Sequence, residues 1–553
     1  MAVLPWRGSK WLGYVEYLVH GGGYNTTILI VLEMLRRRLA DQRVRIDGYD
    51  IDVTIRDAAG IIIHRSTRRY PETAPFAMLA STDFLPPDRT VTGSMEFLIR
   101  CRDARGRSLD QLLIDLDVSP DAFLLWTDER HTCTCTHANM ATGRAPLPAR
   151  ALRRLAWTAR ELTHRNHTYA GAIAVFDDDR TASALVLQSY GHAWRNIPLE
   201  LRNAAGEALH ARAPGLGPHQ VREVGIREVF PNARAFLGGG PGNILVRSYP
   251  DDLRRYRFLV KTIDRRSGAF SLDHSYYMSR IARQTYPAED HERLGKGFMF
   301  PHSLLLSDTM TTSVILFNTE LEAREKTVGL LIYDAEGRQV VHERRVASIP
   351  ARGFVHLDFR EYLALAPGEA FEGHFEIYYA APCTADGRFA TSLHGQVRYD
   401  GPNARESTQV GAAVPWHSPR GFVRPAWVLN YQTVFMVLPY FGTDTLETYI
   451  NFANVSHAWD YREAAAFCCE LVDQDGSVVD RQSIELAPNA QVHQSLRAVF
   501  RRQPRGGIGL VFVTARDPDF SWVPLHYFIE CPGAGVMTSD HGQGLYAYHL
   551  MGR

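Results

Sequence analysis

This 553-residue chain has little lysine, little cysteine and no net charge. Only Lys10, Lys261, Lys296 and Lys326 stand among 61 basic residues, the remainder being Arg. Arg suits bidentate pairing with carboxylate or phosphate, but a GC-rich coding bias accounts for the skew and points to a bacterial source. The 61 basic side chains are balanced by 61 acidic ones. That balance argues against a nucleic-acid partner, because gripping a polyphosphate backbone calls for a basic excess. Seven Cys, an odd number without regular spacing, argue against a disulfide framework. Long apolar runs are missing too. The longest, Ile28 to Leu35, is broken by Glu33 and flanked by Arg36 to Arg38, far short of a membrane span. Met1 to Lys10 shows no basic segment leading into an apolar one, so no secretory signal is expected. Together these absences predict a cytoplasmic protein. No nucleophile elbow, HExxH pair, Walker loop or dinucleotide fingerprint occurs in a suitable context, so no known enzyme class is indicated and no cofactor is expected.

What the chain does have is a phrase repeated four times. A strand rich in Thr, Ser and aliphatics precedes a second strand that ends in a Gly turn. The turns are Asp57-Ala58-Ala59-Gly60, Asn203-Ala204-Ala205-Gly206, Asp334-Ala335-Glu336-Gly337 and Asp473-Gln474-Asp475-Gly476. Asp or Asn ahead of Gly between two β runs signals a hairpin. The first strands are Gly23 to Leu32, Asp179 to Gln188, Asp308 to Phe317 and Asp444 to Ala453. Ile28 to Leu39 alone would pass for an amphipathic helix. Its counterparts Ser313 to Asn318 and Thr448 to Asn454 alternate with β-formers, so strand is expected throughout.

Short helical stretches follow at Arg227 to Phe230, Phe359 to Leu363 and Leu496 to Phe500. A closing hairpin comes next, its first strands at Gln111 to Leu116, Arg257 to Thr262, His374 to Tyr379 and Gly509 to Thr514. Each unit then has about seven or eight short strands in roughly 120 to 150 residues, the mark of an antiparallel sandwich. The expected fold is all-β: four tandem antiparallel β-sandwich (Ig-like) repeats joined by short helical linkers. The repeats fall at 1–146, 166–286, 298–400 and 426–553, with linkers at 147–165, 287–297 and 401–425. The run Gly238 to Gly242 lacks the Lys and Ser/Thr of a phosphate loop and reads as a flexible loop.

A second repeated word ends in His: Thr136-His137, Asp273-His274, Leu393-His394 and Asp540-His541, with His526 a rival for the fourth. Imidazole is the commonest metal ligand. In four sandwiches laid end to end these His would be distant tethers, whereas a ring or paired packing would let them form a site. His131, Cys133, Cys135 and His137 alternate on one expected strand. Cys2His2 is a zinc set, but same-face neighbours about 6.6 Å apart are too dispersed for one ion without a bulge. Zn or Fe are the ions these sets would take. Asp177-Asp178-Asp179 is expected to be a solvated turn, and Cys468-Cys469 to point to opposite faces of a strand. Aromatic residues near repeat ends (Tyr276, Tyr277, Tyr399, Trp416, Trp522, Tyr546, Tyr548) are expected to pack between domains rather than stack on sugars. The expectation is a non-catalytic binding or scaffold protein with a protein or glycan partner. The alternative is a metal-dependent enzyme with repeat-derived His ligands converging between domains.

Overall fold

The computed structural model describes residues 11–110, 112, 121–128, 133–137, 141–143, 171–189, 193–246, 258–277, 285–286, 300–318, 324–383, 386–390, 394–401, 405–411, 433–455, 459, 461–516, 525–532, 536–541 and 543–544. Within them the chain forms multiple antiparallel β-sandwiches, and one strand order recurs four times. One sheet of each repeat has four strands. In repeat 1 its order is Phe76–Ala80, Tyr24–Val31, Asp121–Asp128, Cys133–His137; in repeat 4 it is Gln491–Ser495, Glu447–Ala453, Leu525–Cys531, Val536–His541. The facing sheet carries the Gly-turn hairpin at its edge. In repeat 4 its order is Val478–Leu486, Ala465–Val472, Ile508–Arg516, Thr433–Phe441, Gln543–Gly544.

The Thr/Ser content of the repeated first strand has a structural cause. The hydroxyls of Thr26, Ser183, Thr312 and Thr448 accept hydrogen bonds from the backbone N–H groups of Val19, Phe176, Leu305 and Phe441, at 2.9, 2.9, 3.0 and 2.9 Å. Each bond spans seven residues and ties the strand to its predecessor in the opposite sheet. Buried hydroxyls need such partners, so duplication has kept them. Alternating apolar side chains from both sheets fill the space between, as with Leu304, Val314, Leu330, Ile332 and Phe375 in repeat 3. Each such side chain contributes about 1.5–3 kcal/mol by leaving water.

Several expectations change at this level. Tyr24–Val31 is a strand, but Glu33–Asp41 is an α-helix. Glu33 accepts from both Arg36 and Arg37, the i,i+3 and i,i+4 pairs of a helix. Analogy with the other copies had masked this local signal. In repeat 2 the counterpart of Phe371–Tyr379 and Ile508–Arg516 is Gly242–Val246, while Leu259–Asp264 belongs to the other sheet. The Gly run therefore leads into a strand: Gly238, at φ 62°, caps the helix Ala233–Leu237. In repeat 1 that place is taken by Val91–Asp103, whereas most of the expected strand 111–116 lies outside the described residues. The strand Arg405–Gly411 falls within the stretch expected as a linker and pairs with His394–Asp400. The linker 147–165 lies outside the described residues.

The Gly turns explain how the repeats join. A Cβ on Gly60 would come within 2.8 Å of the Pro218 carbonyl oxygen, one on Gly337 within 2.4 Å of Pro488 O, and one on Gly476 within 2.3 Å of Thr73 O. At Gly206 the nearest atom, Ala351 O, is 3.9 Å away. The turn of repeat 1 thus docks on repeat 2, that of 2 on 3, that of 3 on 4, and that of 4 back on 1. Backbone bonds from Val221 N to Ala58 O (3.1 Å) and from Gln491 N to Ala335 O (2.9 Å) fasten two of these joints. At the roomier joint an Arg202 guanidinium donates to Arg352 O at 2.6 Å. The four sandwiches form a closed cycle, and the core of repeat 1 runs into that of repeat 4.

Candidate functional site

Cycle closure places the last strand of each four-stranded sheet on a common axis. Cys133–His137 packs against Val536–His541 and Phe270–His274, and Arg405–Gly411 packs against the latter two. Thr134 Oγ1 accepts from Leu272 N at 3.0 Å, and Thr538 Oγ1 accepts from Cys135 N at 2.9 Å. Thr134 and Thr538 hold the same register position, opposite Trp126 and Ile529. Neighbouring axial strands are therefore level to within one residue. The axis is polar and buried, since Thr134, Thr136, Ser271, Asp273, Ser539 and Asp540 are all shielded from solvent.

Register decides which of the repeated His are equivalent. His137 lies opposite Phe123, His274 opposite Leu259 and His541 opposite His526, while the matching position in repeat 3 is Gln409, opposite Gln396. His394 begins the preceding strand, opposite Phe317, and is not the fourth member. His541 and its rival His526 are direct cross-strand partners. The backbones of His137, His274, Gln409 and His541 thus hold one level around the axis. His274 is buried, with Nδ1 3.3 Å from Ser275 O. Beside it Asp273 accepts from the Gln396 amide at 2.9 Å, and Gln396 Oε1 in turn accepts from Ala174 N at 2.9 Å. That chain of bonds links repeats 2 and 3.

Cys133 and Cys135 are buried against repeat 4. The Cys133 thiol donates to Ile529 O at 3.5 Å, and Thr538 donates to Cys135 Sγ at 3.4 Å. Both lie on one regular strand without a bulge, and His131 lies outside the described residues. Cys468 is exposed and Cys469 buried, on opposite faces. Asp177 is not a solvated turn residue. It is buried and paired with Arg227 at 2.7 Å and Arg265 at 2.9 Å, whereas Asp178 accepts from the backbone of Arg180 and Thr181 and Asp179 stays exposed beside Arg234. Tyr399 packs between repeats, with its ring 5.2 Å from Phe528 in a T-shaped contact. Trp416, Trp522, Tyr546 and Tyr548 lie outside the described residues.

The four-stranded sheet of repeat 4 carries a row that sequence reasoning missed. Asn451 lies opposite His493 on one side and His526 on the other, and His526 lies opposite His541. Asn451 is 0% exposed, and neither its Oδ1 nor its Nδ2 has a hydrogen-bond partner. The His493 ring stacks on Tyr449 at 5.4 Å and meets the edge of Phe528 at 5.3 Å, and its Nδ1 has no partner. Burial lowers the His493 pKa to about 4, so its imidazole is neutral at pH 7. Phe528 and Tyr449 join the core cluster of repeat 3, so this face of the sheet is an interface between repeats. Among the described residues no three His, Cys, Asp or Glu side chains converge on one point. No helix among them is long and apolar enough to cross a membrane.

No protein-family model and no curated protein matches the chain. Among solved structures it is similar to a glycosyl hydrolase family 2 member from Bacteroides cellulosilyticus, at 9% identity and TM-score 0.11, over 45% of this chain and 29% of that one. It is also similar to a Bacteroides uniformis β-glucuronidase 2 bound covalently to cyclophellitol-6-carboxylate aziridine (10% identity, TM-score 0.11, 48% of this chain and 28% of that one). A third is dimeric latent PorU from Porphyromonas gingivalis (8%, TM-score 0.12, 77% and 31%). The chain spans about a third or less of these proteins. Likeness this slight carries no functional argument.

Proposed function

We propose that the chain is a non-catalytic binding or scaffold protein whose cycle of sandwiches offers repeated edge strands to a protein partner. The observation that carries this reading is the state of the hairpin edges. Ile62–Tyr70, Ala208–Ala213, Gln339–Ile349 and Val478–Leu486 each end a sheet. They are largely exposed, and the apolar side chains Ile61, Ile62, Val340 and Val478 stand in solvent at or beside their starts. An open edge presents unpaired N–H and C=O groups that an extended segment can complete by strand addition. Arg65, Arg68, Arg69, Arg344 and Arg345 lie on these strands. Such charges discourage indiscriminate pairing and favour an acidic extended segment.

The test is selection of extended peptides against the immobilised chain, followed by amide hydrogen exchange. Acidic peptides should be enriched, should protect the four edge strands, and should lose binding on Thr67→Pro in the first strand. Enrichment of glycans without peptides, or protection elsewhere, would overturn the reading. A metal-dependent enzyme is the second reading. The His-rich row of repeat 4 favours it, because it lies where two repeats meet.

A further inference from the structure

We infer that Trp459 and the outer face of repeat 3 beneath it form an aromatic docking point on the partner-binding surface. Its occupant is an acidic extended segment of a partner protein that carries one aromatic side chain. This inference deepens the edge-strand reading above and rests on it.

The strand Lys326–Asp334 supplies the surface. Its Val328, Leu330 and Ile332 belong to the core of repeat 3. Leu331 and Tyr333 alternate with them, and form a separate apolar cluster with Tyr378. The face of an antiparallel sheet turned away from its core is commonly polar, so an apolar cluster there calls for a cause. Gly329 shows how the cluster is built. A Cβ at Gly329 would come within 2.3 Å of Tyr378 Cζ, so the ring fills the space where a side chain would stand. The Tyr378 hydroxyl lies 3.0 Å from His342 Nε2 on the edge strand Gln339–Ile349. Trp459 reaches over from repeat 4. Its ring meets Tyr378 edge-on at 5.2 Å and stacks on His342 at 6.0 Å. Two neighbours thus hold the indole, yet it remains 39% exposed. A large ring fixed in place with apolar surface still in water is the kind of group that anchors a partner. Val340, two residues before His342, is 47% exposed.

Two observations select the occupant. The first is register. The edge strand pairs regularly only from Val341 to Glu343, with an irregularity on either side. The edge strand Ala208–Ala213 of repeat 2 pairs without a break. An added strand finds few continuous main-chain bonds at a bulged edge, so a side-chain contact has to supply the affinity in repeat 3. Aromatic rings gain from meeting one another beyond the area they bury, which favours a ring in that place. The second is charge. Arg344, Arg345 and Arg462 are exposed. Burial pushes the Tyr378 hydroxyl up to about 12, with Arg344 close enough to pull against that rise. Glu343 holds the other face, level with the core residue Leu330. Cations beside the rings suit carboxylates flanking the incoming side chain.

The experiment titrates the full chain with two synthetic Glu-rich peptides of β-forming sequence, one with a central Phe and one with Ala in its place. Fluorescence anisotropy should show the Phe peptide binding roughly tenfold more tightly or better. Trp459→Ala should erase that preference, leave the affinity for the Ala peptide unchanged and keep the thermal midpoint. Trp459→Phe should retain most of the preference. Arg344→Glu, at an exposed position that the fold does not need, should weaken the Phe peptide. It carries the comparison if the Trp459→Ala protein fails to fold. Equal affinity for the two peptides, a preference that survives Trp459→Ala, or Arg344→Glu without effect would each overturn the docking point. Binding of the Ala peptide with protection of the edge strands, but no gain from Phe, would sink this inference alone. Failure of both peptides to bind would sink the edge-strand reading with it.

Discussion

The joint between repeats 2 and 3 and the joint between repeats 3 and 4 use the same positions for opposite ends. In the first, Ile315 packs in a cluster with Ala174, Phe176, Phe317 and Phe354, and the amide of Gln396 uses both of its polar atoms. In the second, Asn451 replaces Ile315 and bonds to nothing, and His493 and His526 replace His356 and Gln396. The turn contacts run the other way, with Gly206 loose against repeat 3 and Gly337 tight against repeat 4. Duplication supplied one interface design. Where the apolar plug was kept, side-chain packing holds the joint. Where it was exchanged for polar groups, the tight Gly337 turn adds backbone docking to the packing of Tyr449 and Phe528 against repeat 3.

The largest expected effect comes from breaking the tight turns. Gly337→Ala and Gly476→Ala set a Cβ against the backbone of the next repeat at a positive φ near 86°. Each should cost about 3 kcal/mol or more in denaturant unfolding. Gly206→Ala meets only the φ penalty and should cost about 1–2 kcal/mol. Equal losses at all three glycines would refute the distinction between the joints.

Ile315→Asn imports the repeat 4 arrangement into the apolar joint. It should destabilise by about 3 kcal/mol, because a buried amide gains no partner while an apolar contact is lost. Gln396→Leu strands the Ala174 N–H and removes a donor from Asp273. About 2 kcal/mol should be lost, and equilibrium unfolding would measure both. The smallest effect is the reverse exchange. Asn451→Leu should stabilise the protein by about 1 kcal/mol, since it removes two unpaired buried atoms. A clear loss of stability there would mean that the amide already serves the fold.

The all-β class, the four hairpins and three short helices were legible because their causes are local. Alternation sets strand faces, and Asp or Asn before Gly sets the turn. The Thr/Ser content of the repeated strand was legible too, although the bonds that one hydroxyl in each copy makes seven residues back were not. Copy-to-copy analogy helped with strands and misled at Glu33–Asp41, where one repeat departs from the rest. The site was read poorly for a related reason. Matching words of sequence grouped His394 with His137, His274 and His541, whereas strand pairing puts Gln409 in that place.

The sequence by itself determined that a sandwich was built four times, and marked with glycine the turn that every copy shares. Only the tertiary structure decided what that turn is for. All four turn glycines have a positive φ, and at Gly60, Gly337 and Gly476 the next repeat's backbone also fills the space a side chain would take, a neighbour more than a hundred residues away or, for Gly476, at the other end of the chain. It also decided which His stand together, because register joins residues such as Asn451 and His493, or Asn451 and His526, that no local spacing relates.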